Sequence, residues 1–173
     1  MNAVLENMKT RASVRSFKPE LIKDEELNAI VEAGLLAPSG MNKQPVKLVV
    51  IKDKETRDKL SRMNAAVMGA NNDPFYGAPE LILVLADKSA FTYIYDGALA
   101  MGNMMNMANS LGIGNCWIHR AKEEFESEEG KALLKEWGIE GDYEGIGHCI
   151  LGYIEGEKPA TKKVNEGRVV VIG

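Results

Sequence analysis

Apolar residues recur along this chain with two alternating periods. Leu27, Ile30, Val31 and Leu35 share one face at helical spacing, with Asp24 near the start, and predict a helix over 24–36 that Pro38-Ser39-Gly40 ends. Residues 2–9 predict a short helix and 54–66 a longer one. The run Val-Lys-Leu-Val-Val-Ile at 46–51 predicts a strand, and the nearly continuous apolar run at 80–86 predicts a buried one. Between them, the Gly, Asn, Asp and Pro of 69–79 read as a loop. The least polar helix spans 93–110. Ala98, Met101, Met105 and Ala108 lie on one face there, with Met104 and Met107 adding bulk for a core or a dimer interface. Strands follow at 113–118 and 146–153, with a helix near 124–137 between them and a last short strand at 169–172. Alternating helix and strand predict a layered α-with-β domain. The 173 residues fit one domain, 1–173, able to bury a core of its own.

Composition narrows the partners. A formal net charge of −4 gives no broad electrostatic footprint for nucleic acid, so any bound phosphate needs a local basic cluster. No apolar run reaches the length of a membrane span, and the first residues lack the basic-then-apolar pattern of a signal peptide, so no membrane partner is expected. Two cysteines are too few for a disulfide scaffold, which leaves a reducing cytoplasm as the expected setting.

Four segments could carry chemistry. Arg11, Ser13 and Arg15 are spaced by two, so in an extended segment all three side chains point the same way. Two planar guanidinium forks and a hydroxyl suit a phosphate monoester. Read alone, the pattern fits a solvated helix end better. In Pro38-Ser39-Gly40-Met41-Asn42-Lys43-Gln44-Pro45, the two amides each offer a donor and an acceptor, as the edge of a flavin ring requires. Gly40 would let the backbone approach a flat ring. A polar turn explains this segment equally well. Gly112 and Gly114 leave a helix for a strand, but Trp117 stands where a dinucleotide fingerprint needs its third glycine, and no phosphate-binding loop with Gly-Lys-Ser/Thr occurs. The basic tail 158–163 could complete an anion site, although alone it reads as a solvated loop.

Cys116, His119, His148 and Cys149 include the ligand types of a zinc site. Neighbouring strand residues point to opposite faces, so four convergent ligands are not expected, and both cysteines read as core. No metal site and no catalytic side chain is assigned.

In this order the segments resemble the nitroreductase family. The resemblance rests on Arg11-Ala-Ser13-Val-Arg15, on Ala37-Pro-Ser-Gly-Met-Asn-Lys-Gln-Pro45, on Asp96-Gly-Ala98 through Leu111-Gly-Ile-Gly114, and on Gly152-Tyr153 before the basic tail. It implies an α+β fold, a central and mostly antiparallel sheet flanked by helices, with the C-terminal arm exchanged in a dimer. It implies FMN at the subunit interface of a homodimer. Arg11, Ser13, Arg15 and Lys162 or Lys163 would hold the phosphate, and Pro38, Ser39, Gly40, Asn42 and Gln44 would meet the ribityl chain and ring. It further implies hydride transfer from NAD(P)H to a small aromatic or quinone-like acceptor by a ping-pong mechanism. The alternative is an FMN-binding protein for storage, redox sensing or flavin breakdown, without NAD(P)H turnover. Three features depart from the family pattern. Val46 stands where many members have Trp, Lys162-Lys163 stands where Arg is frequent, and the chain is short, so a helical lid over the substrate is reduced or missing.

Overall fold

A computed structural model describes residues 2–161 and 163–173. Helix α1 (Ala3–Thr10) is followed by α2 (Asp24–Leu35), strand β1 (Val46–Ile51), α3 (Lys54–Met68), β2 (Glu80–Asp87), α4 (Tyr93–Ser110), β3 (Gly114–Ile118), α5 (Ala121–Glu126), α6 (Glu128–Glu136) and β4 (Tyr143–Gly152). The four strands form an antiparallel sheet in the order β1-β2-β4-β3.

The apolar run at β2 is continuous because both sheet faces are covered. Leu81, Leu83 and Leu85 point into one core with Leu60, Phe75, Phe125 and Ile150. Ile82 and Val84 point into the other with Ile30, Met101, Met104, Cys149 and Leu151. Helices α3, α5 and α6 cover the first face, and α2 and α4 the second. Local chemistry sets the helix ends. Asp53 Oδ1 accepts the Thr56 amide at 2.8 Å at the start of α3, and Gly69 closes that helix in the left-handed region that lacks a Cβ penalty.

Three expectations need correction. The helix expected at 124–137 is two helices, α5 and α6. Ser127 leaves the helical conformation, donates to the Glu124 carbonyl at 2.5 Å and caps Gly130 N–H at 3.0 Å. A serine hydroxyl that can serve both the end of one helix and the start of the next favours a break. The strand expected at Val169–Ile172 is absent. These residues have no ladder partner among the described residues and are 81% to 95% exposed. Strand β4 also begins at Tyr143, earlier than the 146 expected.

Candidate functional site

Residues 11–15 are extended along the β3 edge. Ser13 makes a parallel bridge with Asn115, and Val14 N–H donates to the Asn115 carbonyl at 3.0 Å. Ala12 and Val14 are buried, so alternation turns Arg11, Ser13 and Arg15 the other way. Arg11 is half-buried, and its Nη1 is sealed from solvent without a hydrogen-bond partner among the described residues. Asn115 Oδ1 is likewise buried and unpaired. Buried polar groups are normally satisfied, so the unpaired cationic donor of Arg11 is a candidate contact for an anionic ligand. The Arg15 guanidinium lies 5.7 Å from the centroid of the Tyr76 ring.

Among the described residues, the tail reaches this corner through Lys158. Lys158 Nζ donates to Asn109 Oδ1 at 2.7 Å, and Asn109 Nδ2 donates to Thr10 Oγ1 at 3.1 Å, next to Arg11. Lys163 is exposed and Lys162 lies outside the described residues.

The loop 38–45 is held in an uncommon shape. Met41, Asn42 and Gln44 have φ of 52°, 54° and 48°, three non-glycine residues in the left-handed region. Such strain persists where surrounding bonds over-determine it, and it clusters at ligand clamps. Here Gly40 N–H donates to Asp96 Oδ1 at 3.1 Å and Thr92 Oγ1 donates to Asp96 Oδ2 at 2.8 Å. Gln44 N–H donates to Ser39 Oγ at 2.9 Å, and Gln44 Nε2 to Asn42 Oδ1 at 2.9 Å. A Cβ on Gly40 would overlap Thr92 Oγ1, so the glycine answers to α4. Pro38, Ser39, Gln44, Val46, Asp96 and Ala100 border a cavity of about 200 Å³ behind the loop.

One chain does not bring the two halves together. The arginine segment follows β3 at one sheet edge, and the loop enters β1 at the other. The register also sets them at opposite ends, because Asn115 aligns through Leu151 with Glu80, while Val46 aligns through Ala86 with Glu144. At strand spacing and rise they are roughly 25–30 Å apart.

The cysteine and histidine pairs diverge. Cys116 faces the core with α3 and Cys149 the core with α4. Burial, with Cys116 adding and Arg11 opposing, pushes the Cys149 thiol up to about 12, so it is no nucleophile at neutral pH. His148 Nε2 faces both Glu124 oxygens, at 3.1 and 3.0 Å, inside the first core.

The model of the nitroreductase family matches residues 8–153. The chain belongs to the nitroreductase family. It is 32% identical over 177 residues to a provisionally named NADH dehydrogenase/NAD(P)H nitroreductase of Archaeoglobus fulgidus, covering 98% of this chain and 97% of that one. It is 28% identical over 137 residues to the FMN reductase [NAD(P)H] of Bacillus subtilis, covering 66% and 53%. A crystal structure of a nitroreductase with bound FMN from Bacteroides fragilis superposes with a TM-score of 0.92 at 29% identity over 100% of both chains. The α+β fold with its antiparallel sheet is thus the nitroreductase fold.

Three residues of this nitroreductase-family chain escaped the sequence reading as site residues. Asp96 was visible only as the start of a helix motif. Lys158 lay in the basic tail 158–163 read as a possible part of an anion site, but was not singled out there. Tyr76 lay in a loop defined by its Gly, Asn, Asp and Pro, with no local signal of its own.

Proposed function

We propose that this chain forms a homodimer that binds FMN across the subunit interface and works as an NAD(P)H-dependent oxidoreductase on a small aromatic or quinone-like acceptor. The observation that carries the reading is Arg11 Nη1, a buried cationic donor left without a partner beside Ser13 and Arg15. A phosphate monoester satisfies that donor with charge-assisted hydrogen bonds. Arg11, Ser13 and Arg15 would hold the FMN phosphate, with Lys158, Lys162 or Lys163 contributing from the tail. Pro38, Ser39, Gly40, Asn42 and Gln44 of the second copy would meet the ribityl chain and ring. The separation of the two halves within one chain supports that division. Bound FMN supplies the redox chemistry, hydride transfer from NAD(P)H and then to the acceptor in ping-pong order. The chain's own part is to bind, orient and keep the loop amides fixed.

The C-terminal arm fits the same dimer. Val169–Ile172 is an apolar, strand-prone run with no partner among the described residues, where β1 is an edge strand with one side unpaired. Docking the arm on the second copy would cover both. A cytoplasmic setting agrees with two free, buried cysteines.

The test is the visible spectrum of the purified protein, before and after NADH or NADPH is added under argon. Flavin bands that bleach support the reading and identify the donor. Bands that persist leave a flavin-binding protein without turnover. A protein that stays colourless after incubation with FMN and desalting removes the proposal.

A further inference from the structure

Asp73 sits in the loop between α3 and β2 and is saturated with donors. Its carboxylate accepts from Arg57 Nη2 at 2.6 Å, Ser61 Oγ at 2.6 Å, Phe75 N–H at 2.9 Å and Gly77 N–H at 2.7 Å. Burial pushes this carboxyl up. Arg57, Ser61 and the two amides outweigh burial and hold it below the usual carboxylate range, so the turn is charged and closed at neutral pH. Arg57 is itself fixed, with Nε donating to the Ala78 carbonyl at 2.8 Å. Phe75 is fully buried, its ring 5.0 Å from that of His148. Both sides of the turn are therefore anchored in the core.

Tyr76 lies between the two amides that Asp73 captures. Its φ is 54°, a backbone state that a bulky side chain adopts only under constraint. Glycine would remove that cost, yet this position carries a tyrosine, 41% exposed as a residue. The ring lies against the Arg15 guanidinium, within cation–π range. Arg15 is otherwise an exposed, rotamer-rich side chain.

We infer that the Asp73 turn is a positioning device, which holds Tyr76 in the left-handed region so that its ring fixes Arg15 for a phosphate monoester. The inference rests on the FMN reading above. Fixing Arg15 before the ligand arrives removes part of the ordering cost of binding. The device acts on the phosphate alone, so it favours FMN over riboflavin, which lacks that group.

The experiment compares wild type, Tyr76→Ala and Tyr76→Phe as full-length apoprotein. Kd is measured for FMN and for riboflavin by flavin fluorescence, with chemical denaturation to confirm folding. Alanine keeps the backbone cost and removes only the ring. Tyr76→Ala should weaken FMN roughly three- to tenfold and leave riboflavin unchanged, while Tyr76→Phe stays near wild type. A Tyr76→Ala protein that keeps the wild-type ratio of FMN to riboflavin affinity, or weakens both flavins equally, overturns the inference and leaves the FMN reading intact. A wild type that binds the two flavins alike removes the anion-cluster reading, and this inference with it.

Discussion

The Gly40 amide donates to Asp96 Oδ1 over 3.1 Å, and through that bond the start of α4 governs the loop 38–45. Asp96 is 3% exposed and spends its second oxygen on Thr92. The loop carries three left-handed non-glycine residues, which would relax if this tether were lost. Asp96→Ala should therefore weaken FMN about tenfold, the loss of a buried charged acceptor. It should also speed hydrogen exchange at Gly40. Asp96→Asn can still accept from Gly40 and stay near wild type. A flavin titration with exchange measured by mass spectrometry checks both. Equal behaviour of the two variants would mean that the charge, and not the bond, holds the loop.

The arm prediction exploits exposure. Val170 is 82% exposed in the single chain, so Val170→Lys costs the isolated subunit almost nothing. If the arm docks on the second copy, the same change puts a charge in place of a buried valine. The dimer dissociation constant should then rise at least about tenfold, with FMN released in step. Sedimentation equilibrium with absorbance at a flavin wavelength reads both quantities. An unchanged constant would remove arm exchange.

How much of this was legible follows from what each residue answers to. The run at β2 could be read because both neighbouring layers are apolar and the strand needs no alternation. Arg11, Ser13 and Arg15 could be read as one face because spacing by two is enough once Ala12 and Val14 enter the core. The break at Ser127 was hidden because the apolar period continues across it, and only the capping hydroxyl reveals two helices. Val169–Ile172 has the residue types of a strand, but a strand also needs a partner, and these residues pair with no edge among the described residues. Tyr76 was out of reach, because its conformation is set by Arg57 and Ser61 acting through Asp73. No local pattern encodes contacts at that separation.

The first core contains a polar chain that can be tested by deletion. Glu124 is buried, faces His148 Nε2 and accepts from Asn64 Nδ2, and Arg120 Nη2 donates onward to Asn64 Oδ1 at 2.8 Å. Glu124→Ala strips His148 of this partner while its Nδ1 is already unpaired. The expected loss is about 3 kcal/mol of stability, from uncompensated polar burial plus a cavity. Urea denaturation measures it. Flavin content per folded subunit should not change, because the network lies on the sheet face away from α2 and α4. A loss under about 1 kcal/mol would mean that water enters and replaces the carboxylate.

Glu80 supplies the pH-dependent prediction. It is buried at the start of β2, where Oε1 accepts the Ile22 amide at 2.6 Å and Oε2 has no partner among the described residues. Burial raises its pKa, against the Ile22 amide and Lys52, which lower it, and with Asp24, which adds to the rise. A carboxyl whose folded pKa lies above its unfolded value favours the folded state when protonated. That contribution is whole below the unfolded value, about 4.3, and is lost as pH rises through the folded one. At neutral pH the ionised Glu80 is therefore a cost. Glu80→Gln keeps an oxygen for Ile22 and removes the charge. It should raise stability at pH 7 by about 1 kcal/mol, with the advantage shrinking to nothing near pH 4. Thermal unfolding of both proteins across pH 4 to 8 gives the answer. A glutamine variant less stable than wild type at pH 7 would mean that Lys52 and the Ile22 amide outweigh burial, reversing the sign assigned to Glu80.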